Sequence, residues 1–490
     1  MTGTTKTISL VVLCVALQVW SSVWADDGGL NADAIRKIQS SFEMDAHTRA
    51  MYNAITNTDA KNLALNREIV RGHNNLYSNK IDVKGVTNQK SSGRCWLFSG
   101  MNTIRHSVGR KKELKELEFS QIYLTFWDKL EKSNTFLERM IEFRNRDLMD
   151  RELVIALTMP CDDGGYWENV VDLVNKYGIV PKDVYPETNS SEATRSMNAV
   201  LEQLLRADAV KLRRMNSDGA SVKRLREAKE EMLKDVYRVL AMNLGEPPSE
   251  FVWRYEPGKD KDKDDDSGDE GDREEGSDEA DEEKSNEQDI ERLAMTPQAF
   301  FREFVDVDMS DWVNVFNDTT HEYGKRYTIG MSRNIWEGSD ITYVNVDIET
   351  IKKAAVRSIV DDTPVMFACN VSVDQSTELG IMAAGLYDYG SIYGIDMDMS
   401  KADRALFRNG VRNHGMVLVG VDLDGDKPVK WRVENSWGTE KGKGGYWAMY
   451  DGWFDLHVYN VIVRKEYLPA EVLEILKQKP TKLPPWDPML

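Results

Sequence analysis

Between Gly85 and Arg105 the chain changes character at one residue. Asn88 to Arg94 is a polar loop containing a glycine, whereas Trp96, Phe98, Met101 and Ile104 recur at helical spacing. Cys95 stands at the junction, so the pattern predicts a cysteine at a helix N-terminus, where unsatisfied N–H groups favour thiolate over thiol. A thiolate nucleophile needs a base, and the chain offers six histidines. His47, His73, His106, His321 and His457 lie in polar or unremarkable surroundings and read as satisfied surface histidines. His414 differs, because it opens the apolar run Met416 to Val421, a buried strand ending in a turn. A histidine at a strand's mouth is held rigidly and can face a cleft, although a core or loop role is the commoner one.

A third segment, Trp431-Arg-Val-Glu-Asn435-Ser-Trp437-Gly438, rises as a strand to Asn435 and passes into a glycine-rich stretch. A carboxamide can accept the hydrogen bond of an imidazole N–H and fix the ring without adding a full charge. Trp437 can cover that bond and exclude water. Taken singly, these are a turn asparagine and a core tryptophan. Together, Cys95, His414 and Asn435 stand in the order Cys…His…Asn, with Gln89 six residues before the cysteine. The Gln89 amide and the Cys95 N–H can form an oxyanion hole, in which each donor is typically worth about 10²–10³ in rate.

The 490 residues are 41% hydrophobic, enough for a large core, so a wholly disordered chain is excluded. The 82 acidic against 63 basic residues leave −19, which argues against a general nucleic-acid or anionic-membrane binder. The run 259–289 holds 17 acidic and 5 basic residues and no large apolar one, and reads as a disordered acidic insertion on the surface. A solvated insertion is the simpler reading of it, and an acidic arm for a cationic partner the alternative. No His/Cys/carboxylate cluster falls at ligand spacing, so neither metal nor cofactor is expected.

Residues 1–25 carry Lys6, an apolar stretch from Ile8 to Trp20 and Val23-Trp24-Ala25 before Asp26, the pattern of a signal peptide. Its apolar run is too short to span a bilayer comfortably, so secretory entry without stable membrane insertion is expected, to a secreted or lysosome-like destination. Cleavage after Ala25 leaves Cys95, Cys161 and Cys369, an odd set that cannot pair completely within the chain. Asn189, Asn317 and Asn370 begin glycosylation triplets, but Asn370 follows the apolar run Pro364 to Cys369 and is expected to be buried.

Gln89…Cys95-Trp96, Asn413-His414-Gly415 and Glu434-Asn435-Ser436-Trp437-Gly438 resemble the papain superfamily of cysteine peptidases. Asp162-Asp163-Gly164-Gly165-Tyr166-Trp167, Met399-Ser400-Lys401-Ala402-Asp403-Arg404 and Leu483-Pro-Pro-Trp-Asp-Pro488 narrow the resemblance to the bleomycin hydrolase and aminopeptidase C branch. The 319 residues between Cys95 and His414, against roughly 130–150 in compact papain-like enzymes, agree with the insertions of that branch. Ser92 stands where compact secreted members have a cysteine, so Cys161 loses that partner and no disulfide is expected there.

The resemblance implies an α+β papain-like fold over residues 26–490, with a helical half, a β-barrel-like half, large insertions and a C-terminal arm from 470 to 490. It implies Cys95, His414 and Asn435 as catalytic residues and Gln89 as the oxyanion donor. Gly164, Gly165 and Trp437 become substrate-binding residues, and Leu490 a C-terminal gate admitting peptides with a free N-terminal amine. It also implies a homohexamer acting on peptide substrates. The arm reads as a helix over Ala470 to Lys479 followed by a stiff Pro480–Pro488 segment. Family tails continue a few residues beyond the Asp-Pro-Met match, so the expectation of an aminopeptidase stands beside dipeptidyl or endopeptidase activity. Other classes consistent with the residues are an inactive scaffold, a nucleic-acid-binding homologue and an acyl transferase.

Overall fold

The computed structural model describes residues 28–114, 116–257, 290–410 and 412–490. The expected leader (1–25) and the acidic run (259–289) lie outside the described residues. A small unit, formed by the described residues up to Arg67 with Tyr387–Met397, separates from a large one, Glu68–Leu386 with Asp398–Leu490. In the small unit, Asn31 and Asp45 accept from the N–H groups of Ala34 and Thr48 and start the helices Ala32–Ser40 and Ala46–Asn57. It closes where Leu65 bridges Tyr387 and the Asp388 N–H donates to the Ala64 carbonyl.

The large unit is α+β, helices first and strands after. Its early helices include Cys95–Lys111, Gln121–Glu142, Trp167–Tyr177, Arg195–Ser217 and Val222–Leu244. On Val222–Leu244 the buried residues Leu225, Met232, Val236, Leu240 and Leu244 form one stripe, because their spacing returns them to the same face. That stripe packs against Gln121–Glu142, which Ser120 starts by accepting from the Tyr123 N–H. Further on, Phe251–Tyr255 and Glu291–Met295 form an antiparallel pair with Tyr255 opposite Glu291. The described segments before and after the acidic run therefore end at neighbouring strand ends.

The β-rich half is one sheet of twelve strands. Its middle runs Trp312–Phe316, Val458–Arg464, Val365–Cys369, His414–Asp424, Lys427–Glu434 and Tyr446–Tyr450 in spatial order, and Asn79–Lys80 pairs with His414–Asp424. Both Cys95–Lys111 and Ile348–Val360 pack on the strand His414–Asp424. Its first eight residues are accordingly all buried, which explains the apolar run in the sequence. Asn370 is buried as expected, Asn317 is buried as well, and Asn189 is exposed.

The arm begins as the helix Ala470–Leu476, shorter than the Ala470–Lys479 expected. Arg326 draws the Leu476 and Gln478 carbonyls to its guanidinium, at 2.8 and 3.2 Å, and Thr481–Leu483 then joins the sheet parallel to Lys325–Ile329. His457 also departs from expectation. It ends the short helix Asp451–His457, is 1% exposed and packs its ring on Trp453 at 5.0 Å. No helix among the described residues is long and apolar enough to cross a membrane.

Candidate active site

Cys95 is the first residue of its helix, with Arg94 at the N-cap. The Arg94 side chain is buried, forms paired hydrogen bonds of 3.1 and 2.9 Å with Glu187 and covers the Phe98 ring, so the loop cannot drift from the helix it starts. Burial pushes the Cys95 thiol above its ordinary pKa, while the N–H groups of Gly415, Trp96 and Cys95 itself pull it back. The negative charge of Asp163 adds to the upward push.

The Gly415 N–H acts on the Cys95 sulfur because the strand His414–Asp424 begins against the first turn of that helix. A Cβ on Gly415 would lie 2.9 Å from Ser99 Oγ and 3.7 Å from the Cys95 carbonyl oxygen. His414, one residue earlier, is buried as well. Its Nε2 lies 2.8 Å from Asn435 Oδ1, which also accepts the Ser436 N–H at 2.8 Å and is thus fixed as an acceptor. Burial pushes the imidazole down to about 4, and the Asn435 bond acts in the opposite direction. Trp437 stacks on His414 with ring centres 4.9 Å apart and meets Trp447 edge-on.

Gln89 is fastened on three sides. Its N–H donates to the Ser436 carbonyl at 2.8 Å, its Oε1 accepts from Ser436 Oγ at 2.6 Å, and its Nε2 donates to the Ser92 carbonyl at 2.6 Å. Asn88 pairs with Trp437, and at Gly438 (φ 74°) a Cβ would lie 2.6 Å from Asn88 Nδ2. Gln89, Asn435, His414 and Trp437 are therefore tied together through Ser436 and the ring contacts, and Cys95 meets the Gly415 N–H that follows His414.

Gly164 and Gly165 border this cluster through Asp163. The Asp163 carboxylate accepts from the Gly93 N–H, Lys129, Thr194 and Asn198, and its carbonyl accepts the Trp96 indole N–H at 2.7 Å. Those partners hold the carboxyl far below the usual carboxylate range despite burial. Gly165 packs face to face with Trp96, so a Cβ there would run into the indole. Gly164 lines a cavity of about 410 Å³ together with Asp162 and Tyr166 and with Pro485, Trp486 and Leu490 of the arm. Leu490 and Gly164 thus border the same cavity.

Sequence patterning missed the residues that organise these loops. Arg94 and Glu187 are 93 positions apart and Asp163 gathers partners from three separate segments, so no local period marks them. Glu434, next to Asn435, is likewise buried against Arg105 at 2.8 Å, with burial pushing its carboxyl up to about 7. Asp318, His321 and Asp487 come together within 4.8 Å of one another, a grouping that spacing along the chain could not show.

The family model described as "Peptidase C1-like family" matches residues 29–269 and 279–490. The chain is 36% identical over 463 residues to aminopeptidase C of Streptococcus thermophilus, covering 94% of this chain and 98% of that one. It is 35% identical over 476 residues to bleomycin hydrolase of Rattus norvegicus, covering 95% and 99%. The crystal structure of PepW from Lactobacillus rhamnosis HN001 superposes with a TM-score of 0.86 at 35% identity, over 95% of this chain and 99% of that one. With fold, motifs and near-complete coverage in agreement, the chain belongs to the Peptidase C1-like family, as a papain-superfamily cysteine peptidase related to aminopeptidase C and bleomycin hydrolase.

Proposed function

We propose that the protein is an aminopeptidase that hydrolyses peptide amides through Cys95, His414 and Asn435. The observation that carries this reading is the 2.8 Å contact between His414 Nε2 and Asn435 Oδ1 under Trp437. It commits one ring nitrogen to the carboxamide and leaves Nδ1 for the thiol. Burial disfavours a lone thiolate and a lone imidazolium alike, so charge develops in the pair by transfer of one proton from Sγ to Nδ1. The thiolate attacks the substrate carbonyl carbon, and the Cys95 N–H with the second amide hydrogen of Gln89 receives the oxyanion. His414 then protonates the leaving amine as the C–N bond breaks. Water, deprotonated by His414, hydrolyses the thioester and restores the thiol.

The restriction to N-terminal residues is supported by the arm. Pro485, Trp486 and Leu490 line the same cavity as Gly164, and on this reading the arm limits the room for a chain extending past the substrate amine. The names of the curated relatives, aminopeptidase C among them, agree with this reading. The test is hydrolysis of a fluorogenic amide of a single free amino acid. Wild-type turnover together with its loss in a folded Cys95→Ala variant is expected, and turnover surviving that substitution would refute the assignment.

A further inference from the structure

The arm's last residues wrap around one carboxylate. Asp487 Oδ1 accepts the Met489 N–H at 2.9 Å, the Leu490 N–H donates to the Asp487 carbonyl at 3.1 Å, and the Asp487 N–H donates to Pro484. The second oxygen, Oδ2, faces His321 Nε2 at 3.4 Å. Across the same ring, Nδ1 lies 2.7 Å from Asp318 Oδ2. Asp318 is fully buried and Asp487 is 6% exposed, so neither is a solvated surface carboxylate. Asp318 also accepts from Thr320, through its N–H and hydroxyl, and from the Tyr343 hydroxyl at 2.9 Å. Its acceptor sites are thus filled by protein donors, and the three groups form a bridge complete without an ion.

We propose that His321 is a positioning residue for substrate selection, clamping Asp487 of the arm to the buried Asp318 and so holding Trp486 and Leu490 at the cavity beside Gly164. The proposal rests on the reading that the arm closes the amine side of the cleft. The arginines facing this turn act on backbone: Arg408 donates to the Trp486 carbonyl at 3.1 Å, and Arg412 to the Met489 carbonyl. His321 instead grips the side chain around which the turn is built. Its ring also rests on Tyr327 with centres 5.2 Å apart, which fixes the direction of both nitrogens.

The test compares the full chain with His321→Phe, which keeps a ring on Tyr327 and removes both nitrogens, and with Asp487→Asn, which weakens the clamp from the arm's side. Two readouts are taken: hydrogen exchange of the peptide spanning 484–490, and kcat and KM for a free-amine amide against its N-blocked counterpart. In His321→Phe the exchange should quicken and the blocked-to-free ratio of kcat/KM rise by about tenfold, carried by KM, as expected for loss of a charged hydrogen bond. Asp487→Asn should move both readouts the same way, and it decides the matter should His321→Phe fail to fold. Unchanged arm exchange in these variants overturns the clamp. Exchange that quickens in the variants of a wild-type enzyme cutting both substrates alike refutes the aminopeptidase reading, and the selecting role with it.

Discussion

At Cys95 and His414 burial opposes charge on either group alone, so the proposed mechanism has the two share one proton. Burial holds the isolated thiol above its ordinary pKa, so without a base to take its proton it stays mostly thiol at pH 7. His414→Ala is therefore expected to slow alkylation of Cys95 by iodoacetamide at pH 7 by tenfold or more, and an unchanged rate would show that the histidine does not take the proton. His457 allows a second test at this scale. Its imidazole, buried among Trp453, Arg404 and Lys401, is pushed down to about 4 from an ordinary value near 6.5. The neutral ring is the form the fold favours, so its contribution is fully present above pH 6.5 and is lost as pH falls toward 4. The loss over that window is about 3 kcal/mol. His457→Phe should flatten the acid side of a urea-midpoint profile between pH 7 and 4, and an unaltered slope would place the acid sensitivity elsewhere.

At the scale of elements, the site depends on loops fastened to one another. The turn around Asp163 is tied to the Cys95 helix by the Gly93 N–H, the Trp96 indole and the face of Gly165. Gly165→Ala forces its methyl group into the Trp96 ring, and overpacking of this kind costs roughly 1–3 kcal/mol. A lower urea midpoint and reduced turnover are expected, and wild-type values of both would mean the turn can yield without moving the helix. The helix start at Cys95 and the strand starting at His414 were legible because a 3.6-residue period and an apolar run each mark an element locally. The role of Gly165 was not, because a glycine in sequence does not reveal which surface it is pressed against. The arm helix was over-extended for a related reason. Lys477 to Lys479 suit a helix, but Arg326, some 150 positions away, captures the carbonyls of Leu476 and Gln478.

For the whole molecule, the order Cys, His, Asn across two dissimilar halves was readable from residue types alone, and the fold brings His414 against the Cys95 helix and Asn435 onto His414. The polar connections were not readable. Arg94 with Glu187, Asp163 with its four partners, and His321 between Asp318 and Asp487 join residues with no common period, and tertiary folding alone makes them neighbours. His457 was misjudged on the same grounds, since beside Trp453 of its own helix it is buried near Arg404 and Lys401, which no local pattern brings to it. The central claim is a Cys95 peptidase whose arm occupies the amine side of the cleft. The most direct measurement compares hydrolysis of three fluorogenic amides, a free amino acid, a free dipeptide and an N-blocked peptide, by wild type and Cys95→Ala. Cleavage of the free single-residue amide far above the other two, absent in Cys95→Ala, is the predicted result, whereas efficient cleavage of the blocked peptide would contradict the claim.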